Sequence, residues 1–116
     1  MNLLDTSAWV DYFQGEPKAK GLEKIIFGGQ AVVSVISLAE IKLKLSKQRK
    51  DWQPLIFFMK SNARVIGIDE KTALLAGDFV NLHASDALIY ASAVANGMTL
   101  ITSDKDFTGC KNVRIL

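Results

Sequence analysis

The sequence predicts an α/β fold, a three-layer α/β/α sandwich around a central parallel sheet of four to five strands. Two observations predict it. Short aliphatic or β-branched runs alternate with segments of helical length along all 116 residues, and strands separated by helices pair in parallel with right-handed crossovers. The run AVVSVI, moreover, is rich in β-branched residues and suits a strand buried on both faces, as a sheet covered by helices requires.

The elements follow in order. MNLL is a first strand and SAWVDYF a short helix, after which GEP breaks the chain. KAKGLEKIIF reads as a second helix and GGQ as a turn. AVVSVI, residues 31–36, is the second strand, and it feeds a helix on which Leu38, Ile41 and Leu45 recur at i, i+3 and i+7. WQPLIFFMK is a further helix with Pro54 near its start, ARVIGI a third strand, and Asp69 the N-cap of a helix over EKTALLAGDFV. SDALIYASAVAN is apolar nearly all round and ends at Gly97, which reads as the residue after its C-cap. MTLIT is the fourth strand and VRIL a short last one.

Length and composition bound what the chain can do. At 116 residues it has the size of one domain, 1–116, with a hydrophobic share of 49%. No apolar run approaches the roughly 18 residues of a membrane span, and no basic-then-apolar leader opens the sequence, so a cytoplasmic location without membrane association is expected. The single cysteine, Cys110, excludes an internal disulfide and cannot build a thiolate zinc site alone. Fourteen basic residues against twelve acidic give a formal charge of +2, which permits polyanion binding without arguing for it. The basic stretch KLKLSKQRK fans its charges around a helix and is first of all a solvated surface. Trp9 and Trp52 are assigned to core or dimer packing, and His83 to a loop or cap.

Four carboxylates stand at element ends. Asp5 closes the first strand, Asp104 the fourth, Glu40 opens the helix after strand two, and Asp86 opens the alanine-rich helix. The carboxyl ends of parallel strands are where ligands bind in open α/β sheets. Individually each acid has a structural explanation. Ser37 to Glu40 reads as a capping box, Asp86 suits a helix N-terminus, and Asp104 and Asp106 fit a turn capped by Ser103. Together, four like charges in one crevice would raise one another's pKa and call for a counter-charge. Oxygen ligands without cysteine suit Mg²⁺ or Mn²⁺, and two such ions can activate water and stabilise the leaving oxygen of a phosphodiester. The hydroxyls of Thr6, Ser7, Thr102 and Ser103 are placed to orient carboxylates or waters.

LLDTSAWVDYF, VSVISLAEI and SDALIYASAVANGMTLITSDKDF together resemble the PIN-domain nucleases, most closely VapC-like toxins of prokaryotic toxin–antitoxin pairs. The similarity runs from Met1 to Phe107. It implies a PIN-like sandwich in which Asp5, Glu40, Asp86 and Asp104 are catalytic, metal-holding acids, with Asp106 an adjacent fifth. Thr6, Ser7 and Thr102 match accessory hydroxyl positions. It further implies a Mg²⁺- or Mn²⁺-dependent endoribonuclease acting on RNA, a homodimer, and inhibition by a cognate VapB-like antitoxin. Tyr90, where a small residue is usual, and VNLHAS, which lacks a usual glycine, put the shape of the substrate groove in question.

Three readings are weighed. The first is the metal-dependent endoribonuclease, either a toxin or an RNA-processing nuclease without an antitoxin. A second, with Asp5 as a phosphate-accepting nucleophile, is weakened by Ser7, since such phosphatases place another aspartate there. A third, a silent PIN-like scaffold that binds RNA or protein, is weakened by the presence of all four acids.

Overall fold

Successive side chains of a strand point to opposite faces of a sheet, and three central strands here use both faces. In the computed structural model, which describes residues 1–116, Leu4, Val33 and Ile101 join one buried cluster while Leu3, Val32 and Leu100 join another. The strands are β1 (Asn2–Leu4), β2 (Ala31–Ser34), β3 (Arg64–Ile66), β4 (Thr99–Thr102) and β5 (Val113–Ile115). All pair in parallel, in the order β3-β2-β1-β4-β5. The three-layer sandwich expected from the sequence is thus the fold, with five strands.

On the first face lie α1 (Thr6–Phe13), α2 (Leu22–Phe27), α3 (Val35–Lys47) and α4 (Gln53–Asn62). They contribute Ala8, Trp9, Leu22, Ile26, Ile41 and Met59 to that cluster. The second face is covered by α6 (Ala84–Ala95), which supplies Ile89, Tyr90 and Ala93 and carries α5 (Glu70–Ala76) on its outer side through Ala76, Ala87 and Ala91. Small side chains let those two helices approach closely. Tyr90 fills the second core, its ring 4.7 Å from that of Phe79 and its hydroxyl donating to the Lys111 carbonyl at 2.9 Å. The departure at Tyr90 therefore serves core packing.

Several boundaries differ from expectation for local reasons. The second strand stops at Ser34, whose hydroxyl accepts from the Ile36 amide at 3.1 Å and caps α3. Val35 and Ile36 are helical, because β-branching opposes a helix by only tenths of a kcal/mol and packing overrides it. The Ser37–Glu40 capping box is accordingly absent, and Glu40 lies in the second turn. KAKGLEKIIF is divided into a 3₁₀ turn at Pro17–Ala19 and α2, with Gly21 between them. α5 ends at Ala76, before Gly77, rather than running to Val80, and β3 covers only three residues of ARVIGI. Asp69 caps α5 as expected, accepting from the Thr72 amide at 2.8 Å.

α6 closes as its glycine implies. Gly97 has a φ of 63°, the Met98 amide donates to the Ala93 carbonyl at 2.9 Å, and the Gly97 amide to that of Val94 at 3.2 Å, the paired bonds of a Schellman motif. Trp9 is fully buried in the first core. Trp52, in contrast, is only half-buried, with the Lys42 ammonium 4.2 Å from its ring centroid; it holds a surface cation rather than packing a core. No helix is long and apolar enough to cross a membrane.

Because Leu3 is fully buried between layers, Leu3→Ala should lower unfolding free energy by about 2–5 kcal/mol. Leu43, on the exposed face of α3 at 56% exposure, should tolerate alanine within about 0.5 kcal/mol. Urea titration of both variants checks this.

Candidate active site

β1 is central, flanked by β2 on one side and β4 on the other, so the connection reverses direction across it. A crevice opens at such a point, beyond the carboxyl ends of the strands. Asp5 stands there. Its amide donates to the Ile101 carbonyl of β4 at 2.8 Å, and its carboxylate caps α1, Oδ1 accepting from the Thr6 amide at 2.8 Å. Asp5 is therefore also an N-cap, a role not evident in the sequence. Its Oδ2 accepts from Thr102 Oγ1 at 2.7 Å and Ser7 Oγ at 3.0 Å.

Burial raises the pKa of Asp5, with these three hydrogen bonds opposing the rise and the charge of Asp104 adding to it. A carboxylate 3% exposed needs such donors to remain ionised.

Glu40 reaches the same place from α3. Thr6 Oγ1 donates to Glu40 Oε1 at 2.7 Å and lies 2.8 Å from Ser37 Oγ. Thr6 Oγ1 is the donor toward both oxygens and has one proton to share between them. Ser37, fully buried, thus takes part in orienting Glu40. Sequence reading missed this role because S-x-x-E also spells a capping box.

Asp86 enters from the third position of α6, with His83 at the N-cap making no side-chain capping bond. Its pKa is pushed up to about 6, first by burial and then by the charges of Asp5, Asp104 and Glu40, while His83 opposes the rise. Asp104 comes from the end of β4. Its amide donates to Thr102 Oγ1 at 3.0 Å, and its Oδ1 accepts from the Asp106 amide at 2.8 Å, capping a 3₁₀ turn at Lys105–Phe107. Asp104, not Ser103, is the cap here. The Ser103 amide donates to Ser7 Oγ at 2.9 Å, but its own buried hydroxyl has no partner; it orients no carboxylate.

Asp5, Glu40, Asp86 and Asp104 all line one hollow of about 570 Å³, together with Thr6, Ser7, Val10, Asp11, Lys18, Lys44 and Ser103. Within it the acids are not equivalent. Asp86 and Asp104, with the exposed Asp106 beside them, offer carboxylate oxygens within 4.8 Å of one another. Asp5 and Glu40 stand outside that trio, each tied to hydroxyls. An all-oxygen set at this spacing fits a hard divalent cation. Lys18, paired with Asp11 at 3.3 Å, and Lys44 are the two cations of the hollow. Neither is singled out by the sequence as a site residue: Lys18 lies in a short 3₁₀ turn away from the four acids in the chain, and Lys44 is one of several lysines on α3, marked only by its i+4 spacing from Glu40.

The PIN-domain profile matches residues 3–111. The chain belongs to the PIN-domain family. PIN domains are typically nucleases and generally use a divalent metal. The PIN fold of this chain is similar to that of a toxin–antitoxin complex from Klebsiella pneumoniae, with a TM-score of 0.82, 25% identity, and 98% of this chain and 96% of the other covered. VapBC2 from Rickettsia felis, bound to a DNA fragment from its promoter, gives 0.79 at 23% identity, covering 99% and 96%. Mycobacterium tuberculosis VapC20, a toxin that cleaves the sarcin-ricin loop, gives 0.73 at 17%, covering 96% and 95%. No curated protein sequence matches the chain.

A pH dependence follows from Asp86. A carboxyl whose pKa is higher folded than unfolded binds more protons in the folded state between those two values, so stability falls as pH rises across them. For Asp86 that window runs from 3.8 to about 6, and the penalty is fully present above it. Metal-free protein should lose stability through this window, and Asp86→Asn should lose less. The difference between the two urea midpoints, followed with pH, measures it.

Proposed function

We propose that this PIN-domain chain is a Mg²⁺- or Mn²⁺-dependent endoribonuclease, the toxin of a VapBC-type toxin–antitoxin pair. The observation that carries the reading is the convergence of Asp5, Glu40, Asp86 and Asp104 on one hollow. Residues 1–116 form the catalytic unit. A VapB-like antitoxin and a second copy of the chain are the proposed protein partners, on the strength of the toxin–antitoxin complexes with the same fold.

Asp86, Asp104 and Asp106 would hold the divalent ion, with Asp5 and Glu40 facing the same space. When bound, the ion supplies Lewis acidity toward water and positive charge for the departing oxygen. The protein's own groups do the rest. Thr102, Ser7 and the Thr6 amide oppose the protonation of Asp5 and fix it, and Thr6 fixes Glu40. Carboxylate oxygens so held can accept hydrogen bonds from an attacking water and orient it in line with the scissile phosphorus. Lys18 and Lys44, at the same hollow, attract flanking phosphates of the RNA strand. No histidine base is required.

Incubation of labelled RNA with the protein and Mg²⁺ or Mn²⁺ should yield internal cleavage that EDTA stops. Asp5→Asn and Asp104→Asn should each lower the rate by at least about a hundredfold, the order seen when a group stabilising transition-state charge is deleted. Ser37→Ala should lower it about tenfold, as for an outer partner of a metal-site ligand. Cleavage unchanged in Asp5→Asn would trace to a contaminating nuclease and end this reading.

A further inference from the structure

A second hollow adjoins the acid site. It encloses about 440 Å³ between α1, α3 and the start of α4, and its walls include Phe13, Ile41, Leu45 and Leu55. Val10 and Lys44 line both hollows, so the two spaces share a wall on which one apolar and one cationic side chain sit side by side. The volume falls within the roughly 300–1,000 Å³ typical of small-ligand pockets.

The polar groups of this hollow have a specific character. Two exposed side-chain amides, Gln14 and Gln48, line it, each able to donate and accept at once. They end the two facing helices: Gln14 is the C-cap of α1 and Gln48 the C-cap of α3. Beyond Gln48, Arg49 takes a φ of 55°, a left-handed conformation unfavourable for a residue with a Cβ. The Lys50 amide there returns to the Leu45 carbonyl at 2.9 Å. This turn brings Lys50 and Asp51 onto the wall of the hollow. Its cations are thus Lys44 at the seam and Lys50 at the far side.

Apolar walls with an aromatic ring, paired amides and flanking lysines match one occupant chemically. A nucleobase presents a flat apolar face and an edge of alternating donors and acceptors, on a backbone of phosphates. Single-stranded RNA is read in this manner, by stacking and by hydrogen bonds to exposed base edges. We propose that this hollow receives a base of the RNA strand next to the scissile phosphate, with Gln14 and Gln48 selecting the base and Lys44 binding the phosphate between the two sites. The proposal rests on the ribonuclease reading and names how that site chooses its substrate. Phe13 supplies the aromatic surface, held by Trp9 at 5.8 Å and Phe58 at 5.8 Å between ring centroids.

The test uses fluorescein-labelled short homopolymers of A, C, G and U, with binding read by anisotropy in magnesium on the cleavage-impaired Asp86→Asn chain. One base should bind more tightly than the weakest by roughly five- to 150-fold, the discrimination of one good bidentate contact to a base edge. The double change Gln14→Ala and Gln48→Ala, at exposed positions, should level that ranking with thermal unfolding unaltered. Lys44→Met should weaken all four RNAs alike and reduce the salt slope by about one. A ranking that survives the double change overturns the proposal, as does the absence of any ranking; a hollow that serves a protein partner would give one of these results. If the unaltered chain still cleaves RNA in an Asp86-dependent way in either case, the base-selecting role fails alone. Absence of both binding and cleavage would remove the ribonuclease reading with it.

Discussion

The structure depends on satisfying one buried carboxylate. Asp5 ends the central strand at 3% exposure, where desolvation alone favours the protonated acid. Three donors oppose that, and they come from two places in the chain: Thr6 and Ser7 from α1, Thr102 from the end of β4. Satisfying one charge therefore locks the first helix to the first and fourth strands. Thr102 also accepts from the Asp104 amide, and Ser7 from that of Ser103. The loop that carries two further acids is thereby fixed to the same hydroxyls.

Much of this arrangement was legible in the sequence, for a physical reason. Strand runs and their spacing fix which chain ends meet at one edge of a parallel sheet, so Asp5, Glu40, Asp86 and Asp104 could be placed together from position alone. Asp69 and Gly97 announced their helix ends by side-chain chemistry that acts locally. What failed involved competition between neighbours. Ser34 and Ser37 are both credible caps, and choosing between them requires knowing that Ser37 faces Thr6 across the sheet edge. Val35 and Ile36 carry strand preference into a helix. Lys18 looks like any solvated lysine until the fold sets it beside Asp11, and Lys44 until the hollow forms around its side of α3.

The hollow also shows what its chemistry demands of stability. Asp86 is placed where burial and three other carboxylates raise its pKa to about 6, while its position in the first turn of α6 favours negative charge through the helix dipole. A fold selected for stability alone would separate these groups. Asp86 therefore carries repulsion from Asp5, Asp104 and Glu40; in the proposed reading a divalent cation at Asp86, Asp104 and Asp106 would relieve it, and its binding would be linked to folding stability by mass action. Asp106 belongs in that account despite its exposure, because its carboxylate lies with the other two.

The hydroxyl network has a direction, and the direction carries a constraint on the site. Thr6 Oγ1 has a single proton and two neighbours, Ser37 Oγ at 2.8 Å and Glu40 Oε1 at 2.7 Å. It is the donor toward both, so the contact to Ser37 competes with the bond that holds Glu40, and two oxygens share one proton. Asp5 has the same arrangement through Thr102 and Ser7, whose hydroxyl oxygens also lie 3.1 Å apart; since Oδ2 takes a proton from each, that contact cannot be a third hydrogen bond while both donate. On each side of the hollow, then, a carboxylate is held by hydroxyls that have more oxygen neighbours than protons to give.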